Sequence, residues 1–515
     1  MHAERKVRVL LEMRPALDGH AGIPQETRLL FRALCALDTV EVQGLLQTSL
    51  RFLSAGMPDA REPGPVDGDE SVRMHRYARL LVALEGRPPT TRFDVVDEYV
   101  RRRRVAWGLA LAVLLYPPLG RIGCSWFEPK GFEQSVWQSL FAKTLAPEDF
   151  ALVTTRAYRV VTIPWNTMQS AGLYARRLSG RAVYPALDTQ GIDVLIAQTP
   201  YPARVSAGTA LVIRYHDALP VLMPNAFANK ARHLATHFHA LDSNVKSGAF
   251  FACVSESTRQ DLLRIFPELG DRAVTIHNIV SPHYFPEDSP STHVPQIIRT
   301  RLNAKIPAAQ PMFRSLDEQD GFYERHLGPP PMNYLLMVAS IEPRKNHTLL
   351  VSAWAAIRGR TDPTLKLVIV GNANWDAAPI LDCMRPWIDQ GSLFLLGNVP
   401  APELRVLYRH AAVTVCPSLA EGFDFPGIEA MRSGGVVIAS DIAVHREVYA
   451  DAAEYFDPLS ADSLEGALDK LLFADDASNV REELRSLGQV VAVRYLPVTI
   501  LPRWALFLKR VTRHG

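Results

Sequence analysis

Two carboxylates, Glu421 and Glu429, stand in the stretch Cys416-Pro-Ser-Leu-Ala-Glu-Gly-Phe-Asp-Phe-Pro-Gly-Ile-Glu-Ala-Met-Arg-Ser-Gly-Gly435. Around a bound ligand both would accept hydrogen bonds from hydroxyls, worth ~1.5–3 kcal/mol each when the acceptor is charged. The amides of Gly422, Phe423 and Asp424 precede a helix whose first turn suits Pro426, so a positive helix end faces the same place. Taken alone, two solvated glutamates at a helix start explain the pair as well. A second group lies in Val338-Ala-Ser-Ile-Glu-Pro-Arg-Lys-Asn346. Arg344 and Lys345 there precede a helix, and cations gain nothing from the dipole at that end, which argues for an anion between them. His216 and Asp217 close the strand-like run Ile213-Arg-Tyr-His-Asp217. Gly19 and Gly22, in Pro15-Ala-Leu-Asp-Gly-His-Ala-Gly-Ile-Pro24, allow close backbone approach to a phosphate or sugar, though no G-x-G-x-x-G spacing is present.

The elements that must position these groups alternate short apolar runs with longer amphipathic stretches, the pattern of a parallel sheet covered by helices. Strands are expected at Val7–Glu12, Val40–Leu46, Val194–Gln198, Leu211–Tyr215, Phe250–Val254 and Val274–His277. A second set is expected at Tyr334–Ala339, Leu365–Val370, Ser392–Leu396, Val413–Cys416 and Val436–Ala439. They read as two doubly wound units joined through the proline-rich and polar stretch Ser281–Asn333, which ends near Gly328-Pro329-Pro330-Pro331. Residues from about 50 to 190 read as an insertion in the first unit, with Ala55–Ser71 as a surface loop. Inside it, Arg101–Arg104 precede an apolar run, Val105–Leu119, too short for the ~20 residues of a spanning helix. That run reads either as a buried helix packing Leu109, Leu111, Leu114 and Leu115, or as a segment lying in a membrane interface. In Cys253-Val-Ser-Glu-Ser-Thr258, Ser255 or Ser257 is expected to cap a helix.

The balance of 56 basic and 54 acidic residues gives a net charge of +2, so composition provides no field for nucleic acid. The 48% apolar content excludes disorder as the main state. Five dispersed cysteines fit reduced thiols in a cytosolic protein and neither a disulfide framework nor a zinc site. No signal peptide is expected from the polar start of the chain.

The Glu421-Gly-Phe, Pro426, Glu429-Ala-Met and Ser433-Gly434 positions, with the Val-Val-Ile-Ala-Ser strand after them, resemble the donor-site signature of retaining glycosyltransferases of family 4. The Ile-Glu-Pro-Arg-Lys-Asn block and the His216-Asp217 pair resemble the same family. The resemblance implies an α/β protein of the GT-B fold: two Rossmann-like doubly wound domains face each other across a cleft. It implies an acceptor-side domain over 1–330, with a helical insertion at about 50–190. A nucleotide-sugar-binding domain follows over 331–490, and a terminal helix over 491–515 crosses back to the first domain. By resemblance Glu421 contacts the donor sugar, Glu429 the ribose, and Arg344 with Lys345 the diphosphate. Gly22 faces the phosphates, and His216 touches the transferred sugar. His216, Glu421 and Lys345 are then the catalytic set. Gly22, Arg344, Lys345, Glu421, Gly422, Phe423, Asp424 and Glu429 line the donor site. Asp424 stands where many members carry a small residue or glycine.

The activity so implied is transfer of a hexose, with mannose from GDP-mannose leading, to a lipid-linked or polysaccharide acceptor in surface-glycan synthesis. Configuration is retained, and no metal or cofactor is needed beyond the sugar donor. The expected location is cytoplasmic and peripheral at the inner membrane face, through Arg101–Leu119. A nucleotide-sugar epimerase of the same architecture and a non-catalytic glycan-binding protein are the rivals.

Overall fold

The computed structural model describes residues 5–20, 22–57, 70–86, 91–226, 229–306, 310–328 and 332–514. The first unit contains β1 (Val7–Glu12), β2 (Val40–Leu46), β3 (Arg121–Ile122), β4 (Ser125–Phe127), β5 (Tyr158–Val160), β6 (Ala186–Leu187), β7 (Val194–Ala197), β8 (Ala210–Tyr215), β9 (Phe250–Cys253) and β10 (Ala273–Thr275). Eight of them form one sheet in the order β10-β9-β8-β7-β1-β2-β5-β4, while β3 and β6 pair apart. All its neighbours run parallel except β4 on β5. The second unit contains β11 (Tyr334–Val338), β12 (Lys366–Val370), β13 (Leu393–Leu396), β14 (Val413–Cys416), β15 (Val437–Ser440) and β16 (Ala453–Phe456). They form a fully parallel sheet in the order β13-β12-β11-β14-β15-β16.

Alternation along each strand fills both faces of its sheet, as the two-residue period requires. In β1, Val9 and Leu11 join one core with Phe31 and Leu34 of the helix Ile23–Cys35, while Leu10 joins another with Leu195 and Ile213. Strand order reverses between β1 and β7 in the first sheet and between β11 and β14 in the second. Such switch points open a crevice at the carboxyl ends of the strands, where ligands of open α/β sheets bind.

Three expectations change. Region 50–190 is not a helical insertion alone, because β4 and β5 extend the first sheet beyond β2. Each is three residues long, too short for alternation to be read. Residues 58–69 of the expected surface loop lie outside the described residues. Nor is Ser281–Asn333 a bare connector. Its helices His293–Arg301 and Leu316–His326 bury Val294, Ile298, Phe322 and Tyr323 in the core under the second sheet. The second domain therefore begins well before residue 331. Pro329–Pro331 lie outside the described residues.

Within the apolar run Val105–Leu119, Val105–Leu115 form the second half of a longer helix, Arg92–Leu115, capped by Thr91, whose hydroxyl accepts from the Asp94 amide, and Pro117–Gly120 make a separate turn. Only Ala106, Ala110 and Val113 are buried, and Trp107 stacks on Tyr174 at 4.3 Å. Leu111 and Leu115 are exposed, so the buried-helix packing expected for them does not form. The four arginines do not act as one patch, because consecutive residues diverge by about 100° on a helix. Arg101 stacks over Phe52 and Arg103 donates to the Tyr99 hydroxyl.

One helical stretch among the described residues, Ala477–Arg513, is long and apolar enough to cross a membrane by length and composition. Its last helix, Pro497–His514, buries Ile500, Trp504, Leu508 and Val511 in the core of the first domain.

Candidate active site at the interdomain cleft

The loops after β11 and β14 flank the second switch point and carry Arg344, Lys345 and Glu421. A short turn, Pro343–Lys345, precedes the helix His347–Arg360. Buried Glu342 fixes that turn by accepting from Asn374 Nδ2 at 2.7 Å and from Arg344 at 2.9 Å. Asn346, in the left-handed region, ties its far end to the Pro458 carbonyl. Arg344 then donates to Glu421 Oε2 at 2.8 Å and to the Ala420 carbonyl at 2.7 Å, and Lys345 Nζ bonds Glu421 Oε1. The anion expected between the two cations is thus Glu421 itself. Burial pushes its carboxyl up, but Arg344 and then Lys345 outweigh that and hold it below the ordinary range. The same carboxylates raise Arg344 against its burial.

Asp424 takes φ +71°, a conformation costly for a residue with a Cβ. Tyr449 donates to its Oδ2 at 2.7 Å, His445 Nε2 lies 3.3 Å from the same oxygen, and Lys345 Nζ lies 3.9 Å from Oδ1. Against burial, His445, Lys345 and Tyr449 hold Asp424 ionised well below its ordinary range. His445 and Tyr449 sit four residues apart on the helix Ala443–Tyr449. Sequence reasoning missed both, since nothing local marks their partner. Phe423 is buried against Phe425 and Tyr495, which anchors the loop from below.

Glu429 does not join Glu421. It is buried in the helix Phe425–Arg432, accepting from Gln25 Nε2 at 2.6 Å and from the Tyr408 hydroxyl at 3.2 Å. Burial raises its carboxyl to about 7 against those donors. Gln25 comes from the first domain, three residues after Gly22, so this contact crosses the cleft. Gly22 starts the helix Ile23–Cys35 at φ +70°, and a Cβ there would meet nothing within 4 Å. Its backbone conformation, and not lack of room, calls for glycine.

From the first domain, the His216 carbonyl abuts the Glu421 loop so closely that a Cβ on Gly422 would fall 1.9 Å from it. Asp217 is raised by burial against the pull of Arg344, which places it beside the same cation cluster. Ser255 caps the helix Glu256–Ile265, as expected, by accepting from the Thr258 amide. The same hydroxyl donates to the Gly422 carbonyl at 2.7 Å. In return, Glu447 of the second domain accepts from the Glu256 and Ser257 amides at 2.6 and 2.8 Å and from His277 at 2.8 Å. This clasp was not foreseen either.

Residues 323–488 match the family described as glycosyl transferases group 1. Over 279 residues the chain is 25% identical to an O-antigen chain mannosyltransferase B of Escherichia coli, covering 54% of this chain and 65% of that protein. Over 237 residues it is 27% identical to the O-antigen chain mannosyltransferase RfbU of Salmonella typhimurium, covering 41% of this chain and 64% of that one. The match therefore spans less than two thirds of either relative's length. A sucrose-phosphate synthase from Thermosynechococcus elongatus superposes over 99% of this chain and all of its own, with a TM-score of 0.57 at 14% identity. Two largely parallel sheets, with cations and carboxylates at the second switch point, agree with that likeness: the chain has the GT-B fold, and residues 323–488 resemble the glycosyl transferases group 1.

Proposed function

We propose that the chain is a retaining hexosyltransferase that moves mannose from GDP-mannose to a lipid-linked or polysaccharide acceptor in surface-glycan synthesis. The observation that carries this reading is the meeting of Arg344 and Lys345 on Glu421 at the second switch point. A nucleoside diphosphate offers that pair phosphate oxygens in place of the carboxylate. Glu421, displaced from the cations, is then free to accept hydroxyls of the sugar. When the bond from the anomeric carbon to phosphate breaks, its electron pair stays on the phosphate oxygen, where the two cations stabilise it. The acceptor hydroxyl attacks the same face and passes its proton to that oxygen, so Glu421 is not the nucleophile and no metal is required. Glu429 takes the ribose once Gln25 gives way. The two relatives, named as O-antigen mannosyltransferases, support mannose and a surface glycan.

The test is a screen of transfer, donor hydrolysis and epimerisation across GDP- and UDP-sugars. Transfer with retained configuration is expected from GDP-mannose, in the presence of EDTA as well. Epimerisation without an acceptor, or binding without turnover, would overturn the reading.

The helix Arg92–Leu115 supports a membrane-surface location. At about 100° per residue, Phe93, Val96, Val100, Arg104, Leu111 and Leu115 fall in one stripe, turned away from the buried Ala106, Ala110 and Val113. The apolar members of that stripe are exposed, Phe93 at 87%. Arginines within and beside the stripe suit anionic headgroups, at ~1 kcal/mol each. The parent protein is expected to bind anionic vesicles at low salt and to release them as salt rises. Replacing Phe93, Val96 and Leu115 by serine should weaken binding while transfer to a soluble acceptor persists. Indifference of the parent to such vesicles would remove the location.

A further inference from the structure

Gln198, just past β7 at the first switch point, is fully buried. Its backbone N–H donates to Glu12 Oε2 at 2.8 Å, while Glu12 Oε1 takes Arg14 Nε at 2.7 Å. Its side chain lies between two groups. Oε1 is 3.1 Å from His216 Nε2. Nε2 is buried near Glu26, whose Oε1 takes Arg214 Nε at 2.8 Å; among the described residues neither Gln198 Nε2 nor Glu26 Oε2 has a hydrogen-bond partner within bonding distance, so each is the other's nearest complement. Only one orientation of the amide is physically sound. Turned the other way, its carbonyl would face a buried carboxylate, acceptor against acceptor. The amide therefore turns its N–H toward the unpartnered Glu26 oxygen and its own oxygen to His216 at 3.1 Å.

That oxygen can only accept, so His216 Nε2 must carry a hydrogen. The charged groups around the ring are Arg214 behind it, Asp217 beside it, and Glu26 and Glu12 beyond Gln198. Burial, then Arg214, holds the imidazole well below its ordinary protonation range. A neutral ring has one hydrogen. Nδ1 is left with a lone pair and makes no protein hydrogen bond among the described residues, while the His216 carbonyl touches Gly422 of the donor loop.

We propose that Gln198 is a positioning residue that fixes His216 as the Nε2–H tautomer, leaving Nδ1 as an acceptor for a hydroxyl of the transferred sugar. The inference deepens the functional reading above and rests on it. It also narrows the donor. The sugar must present a hydroxyl hydrogen to His216, so replacing that hydroxyl by fluorine sets acceptor against acceptor.

The tautomer is read directly from long-range proton–nitrogen spectra of the full chain labelled at histidine, with His216 assigned by loss of its signals in His216→Gln. The Nε2–H pattern is expected, unchanged from pH 5.5 to 8. An Nδ1–H pattern, or protonation within that window, would overturn the proposal even if Gln198 variants failed to fold. Gln198→Met should mix the two tautomers and slow transfer ~2–10-fold, the loss of one hydrogen bond. A parent-like tautomer in a folded Gln198→Met would reduce Gln198 to packing and sink the idea. In Gln198→Glu, one proton shared with Glu26 rebuilds both contacts, so its rate should fall as pH rises while the parent's does not. A rate that tracks the parent's would count against the relay. A parent protein with the expected tautomer but no transfer would instead overturn the functional reading.

Discussion

The two sides of the cleft both carry dense charge, but they hold it differently. In the first domain, Arg214 sits next to the carboxyl end of β8 with no exposure. It is bound to Glu26, to the Ala252 and Ile276 carbonyls and to Asn278. Glu26 and Ala252 are fixed by a helix and by β9, Ile276 and Asn278 by the buried segment just past β10, and the pair is closed to any ligand. In the second domain, Arg344 and Lys345 reach Glu421 from loops, with side chains 18% and 12% exposed. Their partner is a carboxylate of the kind a phosphate can replace. One array is scaffold and the other is exchangeable, and a leaving group needs the second kind.

The comparison breaks first where the scaffold is cut. Glu26→Ala strands a buried guanidinium, and such a change costs about 3–5 kcal/mol. Urea unfolding should show that loss, and a near-neutral result would mean that Arg214 is compensated elsewhere. Lys345→Ala should instead leave the unfolding midpoint near the parent's and lower kcat by ~10²–10³, as for the loss of one preorganised charge. Equal loss of stability and rate in both variants would erase the distinction drawn here.

Glu429 lies between the two kinds, buried like the scaffold yet bound across the cleft. Its carboxyl is raised from 4.5 to about 7, so the folded state holds the proton that the unfolded chain has released. Its contribution is therefore fully present below pH 4.5 and is lost as pH rises towards 7 and above, on the order of 1–3 kcal/mol. Unfolding at pH 5 and pH 8 should differ accordingly, and Glu429→Gln should remove that part of the difference. The smallest effect is expected at Ser255. Ser255→Ala loses a helix cap, about 1 kcal/mol, together with its bond to Gly422. Donor KM should then rise more than stability falls. A pure stability loss would make Ser255 a cap and nothing more.

Much of the fold was legible because it is written locally. β1, β2 and β14 have the ends that apolar alternation and turn residues indicate, and the proline at 426 sits at the start of its helix. β4 and β5 were illegible at three residues each, since they are strands only because β2 offers an edge. The site divides in the same way. Loop positions after strands could be read, but partnerships could not. Glu421 meets Lys345 across 76 residues, and Glu429 meets Gln25 across 404. No spacing rule reports such distances. Asp424 could be recognised as an awkward residue for its place, while the Tyr449 hydroxyl that makes it tolerable could not.

The helix Pro497–His514 has a consequence for biosynthesis. Trp504 and Leu508 complete a core that includes Val9 and Leu11 of β1, so the first domain cannot reach its final packing until that helix, made after the whole second sheet, has been synthesised. At roughly 5–20 residues per second, the stretch from β10 to that helix takes about 11–44 s, and the first domain's apolar face waits that long for its cover. During that interval the second domain can fold alone on its own sheet. The first domain therefore reaches its final packing after the second sheet has been made, although its strands come earlier in the sequence.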